Sequence, residues 1–244
     1  MSALRAVLLV VRRELVGYLR SPFGYIVIAA MLLIDGLLFY GFALSTGARL
    51  SADVLRDFFF YASGTTAVAA VLLSMRLFAE ERQTGTLVLL STSPLREIEI
   101  VLGKFGAAFL FIALMTVLTA YMPLLILVHG KVSVGHILVG YGGLLLLGSA
   151  TLAVGLFASA LAPTQVLAAV VGAAILGALY LLWLVAKVTD PPISSFLGAA
   201  ALHNEQFRPF MIGVVDAGNV TYYLAVTAVF LFAATKTLEA RRWR

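Results

Sequence analysis

The sequence predicts an all-α polytopic membrane protein with six transmembrane helices, and three observations carry that prediction. Of its 244 residues, 62% are hydrophobic and only 12% are charged, about half the ~25% charge of a soluble domain. Apolar residues gather into six runs, at about 23–44, 58–77, 105–128, 137–161, 165–186 and 220–237, each near the ~20 residues that cross a bilayer. The third observation is where the cations lie. Arg5, Arg12, Arg13, Arg20, Arg76, Arg82, Arg96, Lys104, Lys236, Arg241, Arg242 and Arg244 fall at the termini or in the second loop, whereas Arg49, Arg56, Lys131, Lys187 and Arg208 fall on the other side. Because Lys and Arg sort to the cytoplasmic side, both termini and the second loop are expected there.

Residues 1–22 precede the first span. Leu4, Val7, Leu8, Val11, Leu15 and Leu19 recur at helical spacing beside four arginines, the pattern of an amphipathic interfacial helix. Ser21-Pro22 reads as N-cap and first residue of span one. That span carries Asp35. An intramembrane carboxylate is costly and marks a possible substrate or proton site; the plainer expectation is a neutral Asp bonded to a hydroxyl of Thr65, Thr66, Thr116 or Thr119. Spans four and five are rich in small residues: Gly148, Ser149, Ala150, Gly155, Ala158 and Ser159, then Ala169, Ala173 and Gly177. Small-xxx-small spacing permits close helix contact, either within one chain or at a dimer seam. Residues 188–219 form an external loop whose Phe196, Leu197, Leu202, Phe207, Phe210, Met211 and Ile212 suit short helices dipping into the outer leaflet.

The chain lacks cysteine, which excludes disulfides, thiol catalysis and Cys-ligated metal centres. It also lacks a phosphate-binding G-x-x-x-x-G-K-[ST] loop. His129, His136 and His203 lie in or beside external loops, with no G-x-S-x-G serine to pair with them. His203 and Glu205 make at most a two-ligand pair, too few for a metal site. The net charge of +5 is accounted for by topology, so no nucleic-acid partner is implied.

The loop 78–104 is the most informative segment. Within "FAEERQTGTLVLLSTSPLREIEIVLGKF" (78–105), Gly85 reads as a helix stop, Thr86 as the cap of a short apolar helix, and Ser93-Pro94 as the start of the helix into span three. Four consecutive aliphatic residues, 87–90, need a partner surface. This stretch resembles the cytoplasmic loop of ABC-2-type transporter permeases, in which "EER-x-x-GTLE-x-L-x-x-[ST]-P" precedes span three. "RRELVGYLRSPFGY", "LHNEQFRPFMIGVVD" and "LEARRWR" extend the likeness, most closely to the gliding-motility-associated permeases.

That resemblance implies one ABC-2-type transmembrane domain over 1–244 and a coupling helix in the loop 78–104. It implies docking of a separate ATPase on Glu80, Glu81, Arg82, Gly85, Thr86, Leu87, Leu90, Ser93 and Pro94. Val88 departs from the acidic residue common in the family. The implied partners are two cytoplasmic ABC ATPase subunits, which would bind ATP and Mg in place of this chain, and a second permease copy or a paralogue. Membrane lipid and an external accessory protein are further candidates. The implied location is the bacterial inner membrane. Two other readings stay open: an ATP-independent secondary transporter or channel, and a mechanotransmitting subunit acting on an external partner.

Overall fold

A computed structural model describes residues 3–44, 50–86, 95–130 and 132–242, and the described residues are all-helical with no strand. Helix α1 spans Ala3–Arg20. Helix α2, Pro22–Leu38, runs on as a π-helical turn Phe39–Leu44. Then follow α3 (Ser51–Ser74), α4 (Ala79–Gln83), α5 (Glu97–Leu118), α6 (Tyr121–His129), α7 (Val134–Leu161), α8 (Gln165–Lys187), α9 (Ile193–Ala200), α10 (Asn204–Met211) and α11 (Ala217–Arg242). Six stretches are long and apolar enough to cross a membrane: Pro22–Phe42, Ser51–Gln83, Glu97–Val128, Val134–Leu161, Gln165–Lys187 and Ala217–Ala240.

Local signals set several helix ends. Ser21 caps α2, accepting from the Gly24 N–H at 3.2 Å, with Pro22 as first residue. Thr164 caps α8 in the same way, through the Leu167 N–H at 3.3 Å. Helix α5 begins later than Ser93-Pro94 suggests. Leu95 and Arg96 are non-helical, and the Glu99 carboxylate accepts from the Arg96 N–H at 3.0 Å. Glu97 and Glu99 then sit at the positive end of the helix dipole, where acids are stabilised.

Helix α7 is the central mast. Its spanning window is 78% buried, against 17% for α8, 22% for α11 and 28% for α2, and α3, α5, α8, α10 and α11 all pack on it. Gly148, Ser149, Ala150, Gly155, Ala158 and Ser159 are all buried there, so this run of small residues serves packing within the chain. On α8 the packing stripe is Ala168, Gly172 and Leu176. Ala173 is exposed and Gly177 has open space beside it, so the Ala169/Ala173/Gly177 row, turned about 100° away, is not the one packed within the chain.

Two expected apolar faces are divided between the bundle and the outside. Helix α1 buries Ala6, Val10 and Tyr18 against the bundle and leaves Leu4, Leu8 and Leu19 exposed. The contact with α5 is close because Gly103 has no Cβ; one there would stand 2.5 Å from Val10 Cβ. In the 188–219 segment, Leu202, Phe207, Phe210 and Met211 enter the bundle core with Tyr223 and Phe59. Only Phe196 and Ile212 remain strongly exposed of those large side chains. The short helices exist, and α10 packs against α7 and α3.

Gly103→Ala tests the α1–α5 approach. The added Cβ meets a β-carbon that no rotamer change can move, an overpacking cost of about 1–3 kcal/mol that exceeds the ~1 kcal/mol helix gain of Ala over Gly. The melting temperature of the purified protein in detergent should fall. An equal or higher value contradicts the close packing.

Candidate functional site

The charged loop leaves α3 through a kink at 75–78 that is held by α7. Ser159 Oγ accepts from the Phe78 and Ala79 N–H groups at 3.0 and 3.1 Å and donates to the Met75 carbonyl at 3.2 Å. These backbone groups would otherwise be buried without partners, at about 1–3 kcal/mol each. Helix α4 then carries Glu80, Glu81 and Arg82. The Arg82 guanidinium turns inward and donates to the carbonyls of Ala160 (2.9 Å) and Ala162, at the negative end of α7. Gly85 ends α4 with φ +74°, a conformation that glycine adopts without steric cost. Thr84 and Thr86 fold back, donating to the carbonyls of Glu80 (3.0 Å) and Glu81 (3.3 Å).

Four charges of alternating sign form the centre of the site. Lys104 Nζ lies 2.9 Å from Glu81 Oε1 and 3.2 Å from Glu14 Oε1, and Arg13 closes the ring at 3.1 Å to Glu81 and 2.6 Å to Glu14. Lys104 is 1% exposed, and its ammonium also lies over the Phe78 ring, 5.4 Å from the centroid. Beside the ring, Arg76 forks onto both oxygens of Glu80 at 2.6 and 2.7 Å and stacks its guanidinium on Phe23. The Tyr18 hydroxyl donates to the Leu73 carbonyl at 3.4 Å while its ring stacks on Phe111. A cavity of about 310 Å3 opens between α1 and α4, lined in part by Glu14, Tyr18, Glu81 and Lys104.

This arrangement ties three helices at one point. A buried lysine is tolerated only with its partners in place, and removing one member of such a pair costs about 3–5 kcal/mol. Glu81 of α4 therefore cannot move without drawing on Lys104 of α5 and Arg13 of α1. Glu80, Glu81 and Arg82 are brought together by the structure, but each is engaged by the chain itself. Sequence reasoning missed Arg13, Glu14, Lys104 and Ser159. The available signals were a lone Glu in a basic helix and a lone Lys inside "IVLGKFGAAF".

Leu87, Leu90, Ser93 and Pro94, with the expected coupling helix, lie outside the described residues. Asp35 stands apart from the ring. It is 2% exposed, and Oδ1 accepts from the Thr65 hydroxyl at 2.6 Å, so among the anticipated hydroxyls Thr65 is the partner. His203 pairs with Ser63 at 2.6 Å and not with Glu205. Among the described residues no group of three or more His, Cys, Asp or Glu is placed to hold a metal.

The ring makes stability pH-dependent. Burial alone would raise the Glu14 carboxyl, but Lys104 and Arg13 outweigh it and hold the group below its ordinary 4.5. The stabilisation is complete above that value and is lost as pH falls through the lower folded-state value. Acidification from neutral pH should therefore lower the melting temperature of the wild type more than that of Glu14→Gln. Equal losses contradict the ion-pair assignment.

No curated protein matches the chain. Residues 5–183, which include most of α1, the ring, the first four spans and most of the fifth, match the ABC-2 type transporter family. A multi-pass helical bundle with this match over most of its length is a transport subunit, and the chain belongs to the ABC-2 type transporter family.

Proposed function

We propose that this chain is the permease subunit of an ABC-2-type exporter, driven by a separate cytoplasmic ATPase that docks on residues 78–104. The family works with such ATPase subunits. The bias of Lys and Arg toward the termini and this loop supports a cytoplasmic location for both, in a bacterial inner membrane. Two ATPase subunits would bind ATP and Mg, and a second permease copy or a paralogue would complete the complex.

The observation that carries this reading is the connection of α4 to the rest of the bundle. A partner pressing on the loop moves Glu80, Glu81 and Arg82. Through Glu81 the displacement reaches Lys104 and span three, and through Arg13 and Glu14 it reaches α1. Through Arg82 and Ser159 it reaches the end of α7 and its hairpin to α8. A loop that only closed a surface would not need three such routes inward. Leu87, Leu90, Ser93 and Pro94 supply the apolar docking surface in this account. Asp35, bonded to Thr65 in the span interior, is then the possible substrate or proton site, apart from the coupling loop.

Leu87→Asp separates docking from folding, because a charge placed in a desolvated contact opposes association. The protein should reach the membrane in normal amount and lose the ATPase that the wild type recovers on affinity purification, together with ATP hydrolysis. Recovery of the ATPase at an unchanged level would contradict the assignment.

A further inference from the structure

Beside α8 lie two adjoining cavities that the coupling account does not use. The first is a groove of about 530 Å3 between α2, α3 and α8, walled by apolar side chains that include Met31, Ile34, Val68 and Leu72. Val68 and Leu181 on its rim are 60% and 55% exposed, so the groove opens sideways from a chain that spans a membrane. The second, about 670 Å3, lies where α8 meets α9 and α10. Both volumes fall in the roughly 300–1,000 Å3 range of ligand cavities. Trp183 and Asn204 line both.

The two cavities differ in chemistry. The groove is mostly apolar, but toward α10 His203 bonds Ser63 at 2.6 Å and the Tyr180 hydroxyl is buried without a partner among the described residues. Burial holds the His203 imidazole below its ordinary value. The second cavity is cationic, lined by Arg56, Lys187 and Arg208 against one carboxylate, Glu205. Arg56 is compensated by Asp57 at 3.3 Å and Asp53 at 3.7 Å. Lys187 rests over the Trp183 ring at 4.2 Å, and neither it nor Arg208 has a carboxylate at ion-pair distance among the described residues. An apolar trough leading to two uncompensated cations is complementary to an amphiphile with a negative head.

We propose that the chain holds an anionic phospholipid at this site, one acyl chain lying in the α2/α3/α8 groove and the phosphate held by Lys187 and Arg208. Ser194 also lines the headgroup cavity and offers its hydroxyl to a phosphate oxygen. The assignment requires only that the chain span a membrane; it is independent of ATPase docking.

Trp183 reports on the site directly. The chain has two tryptophans, and Trp243→Phe leaves Trp183 alone. The full chain is reconstituted in phosphatidylcholine vesicles, with acyl-brominated phosphatidylglycerol or acyl-brominated phosphatidylcholine as quencher. The anionic lipid should quench as though about fivefold enriched, the factor that one basic side chain near an anionic surface supplies, and added salt should reduce the preference. Lys187→Gln with Arg208→Gln should bring the ratio to one. If that variant does not fold, Gly64→Phe gives the second test. No atom stands within 4 Å of a Cβ at Gly64, which lines the groove, so the ring would fill it and abolish the preference with the cations intact. Equal quenching by the two lipids, a preference that survives either variant, or a Trp183 shielded from both lipids by a second copy of the chain would overturn the proposal.

Discussion

One buried ammonium sets the terms for the α4 end of this protein. Lys104 lies in a helix that is apolar beyond its first turn, with 1% of its surface exposed, and a lone charge there would be prohibitively unfavourable. It is stable because Glu14 and Glu81 reach it from two other helices and Arg13 balances the second negative charge. The four charges cancel, so Lys104 can be fully buried while Arg13 closes the cluster at its solvent-exposed edge. The consequence is geometric: α1, α4 and α5 must meet at one point. The absence of a Cβ at Gly103 lets α1 come close enough, and the Tyr18–Phe111 stack fixes its far end.

The rest of the bundle gives that junction something to act on. Helix α7 is buried along most of its length and touches nearly every other span. Its final turn is held from outside by Arg82, and its Ser159 hydroxyl completes the backbone hydrogen bonding of the α3–α4 kink. Helices α2, α8 and α11 are packed on one side only. Such a division suits a transport subunit: a stiff centre receives force, while lightly packed outer helices face lipid or a second subunit. The opposite end is closed by α10, whose Phe207 and Phe210 enter the core.

Much of this was legible in the sequence. The six spans follow from length and hydropathy, because no other solvent accommodates such runs. Ser21-Pro22 and Gly85 were readable because capping and positive φ are local properties of particular residue types. The Thr65–Asp35 bond was foreseen among four candidate hydroxyls, since a buried carboxylate must find a donor. What escaped depends on contacts between residues far apart in the chain. Glu14, Glu81 and Lys104 are separated by up to 90 positions, and a charge count treats Lys104 only as a marker of sidedness. Arg82 was read as a surface contact, and the carbonyls it binds carry no sequence signal. Which α8 face packs inside the chain was not legible, because small residues stand on both the Ala168/Gly172 and the Ala169/Ala173/Gly177 sides and only the position of α7 decides between them.

The absence of cysteine in the chain allows a direct test of the junction. Spin labels at Arg12→Cys on α1 and Gln83→Cys on α4 occupy exposed positions on the two helices that Lys104 joins. Double electron–electron resonance should give one narrow distance distribution in the otherwise native protein, and a broad or shifted one when Lys104→Met removes the shared cation. The same narrow distribution in both proteins would show that α1 and α4 are held together by something other than the buried charge ring.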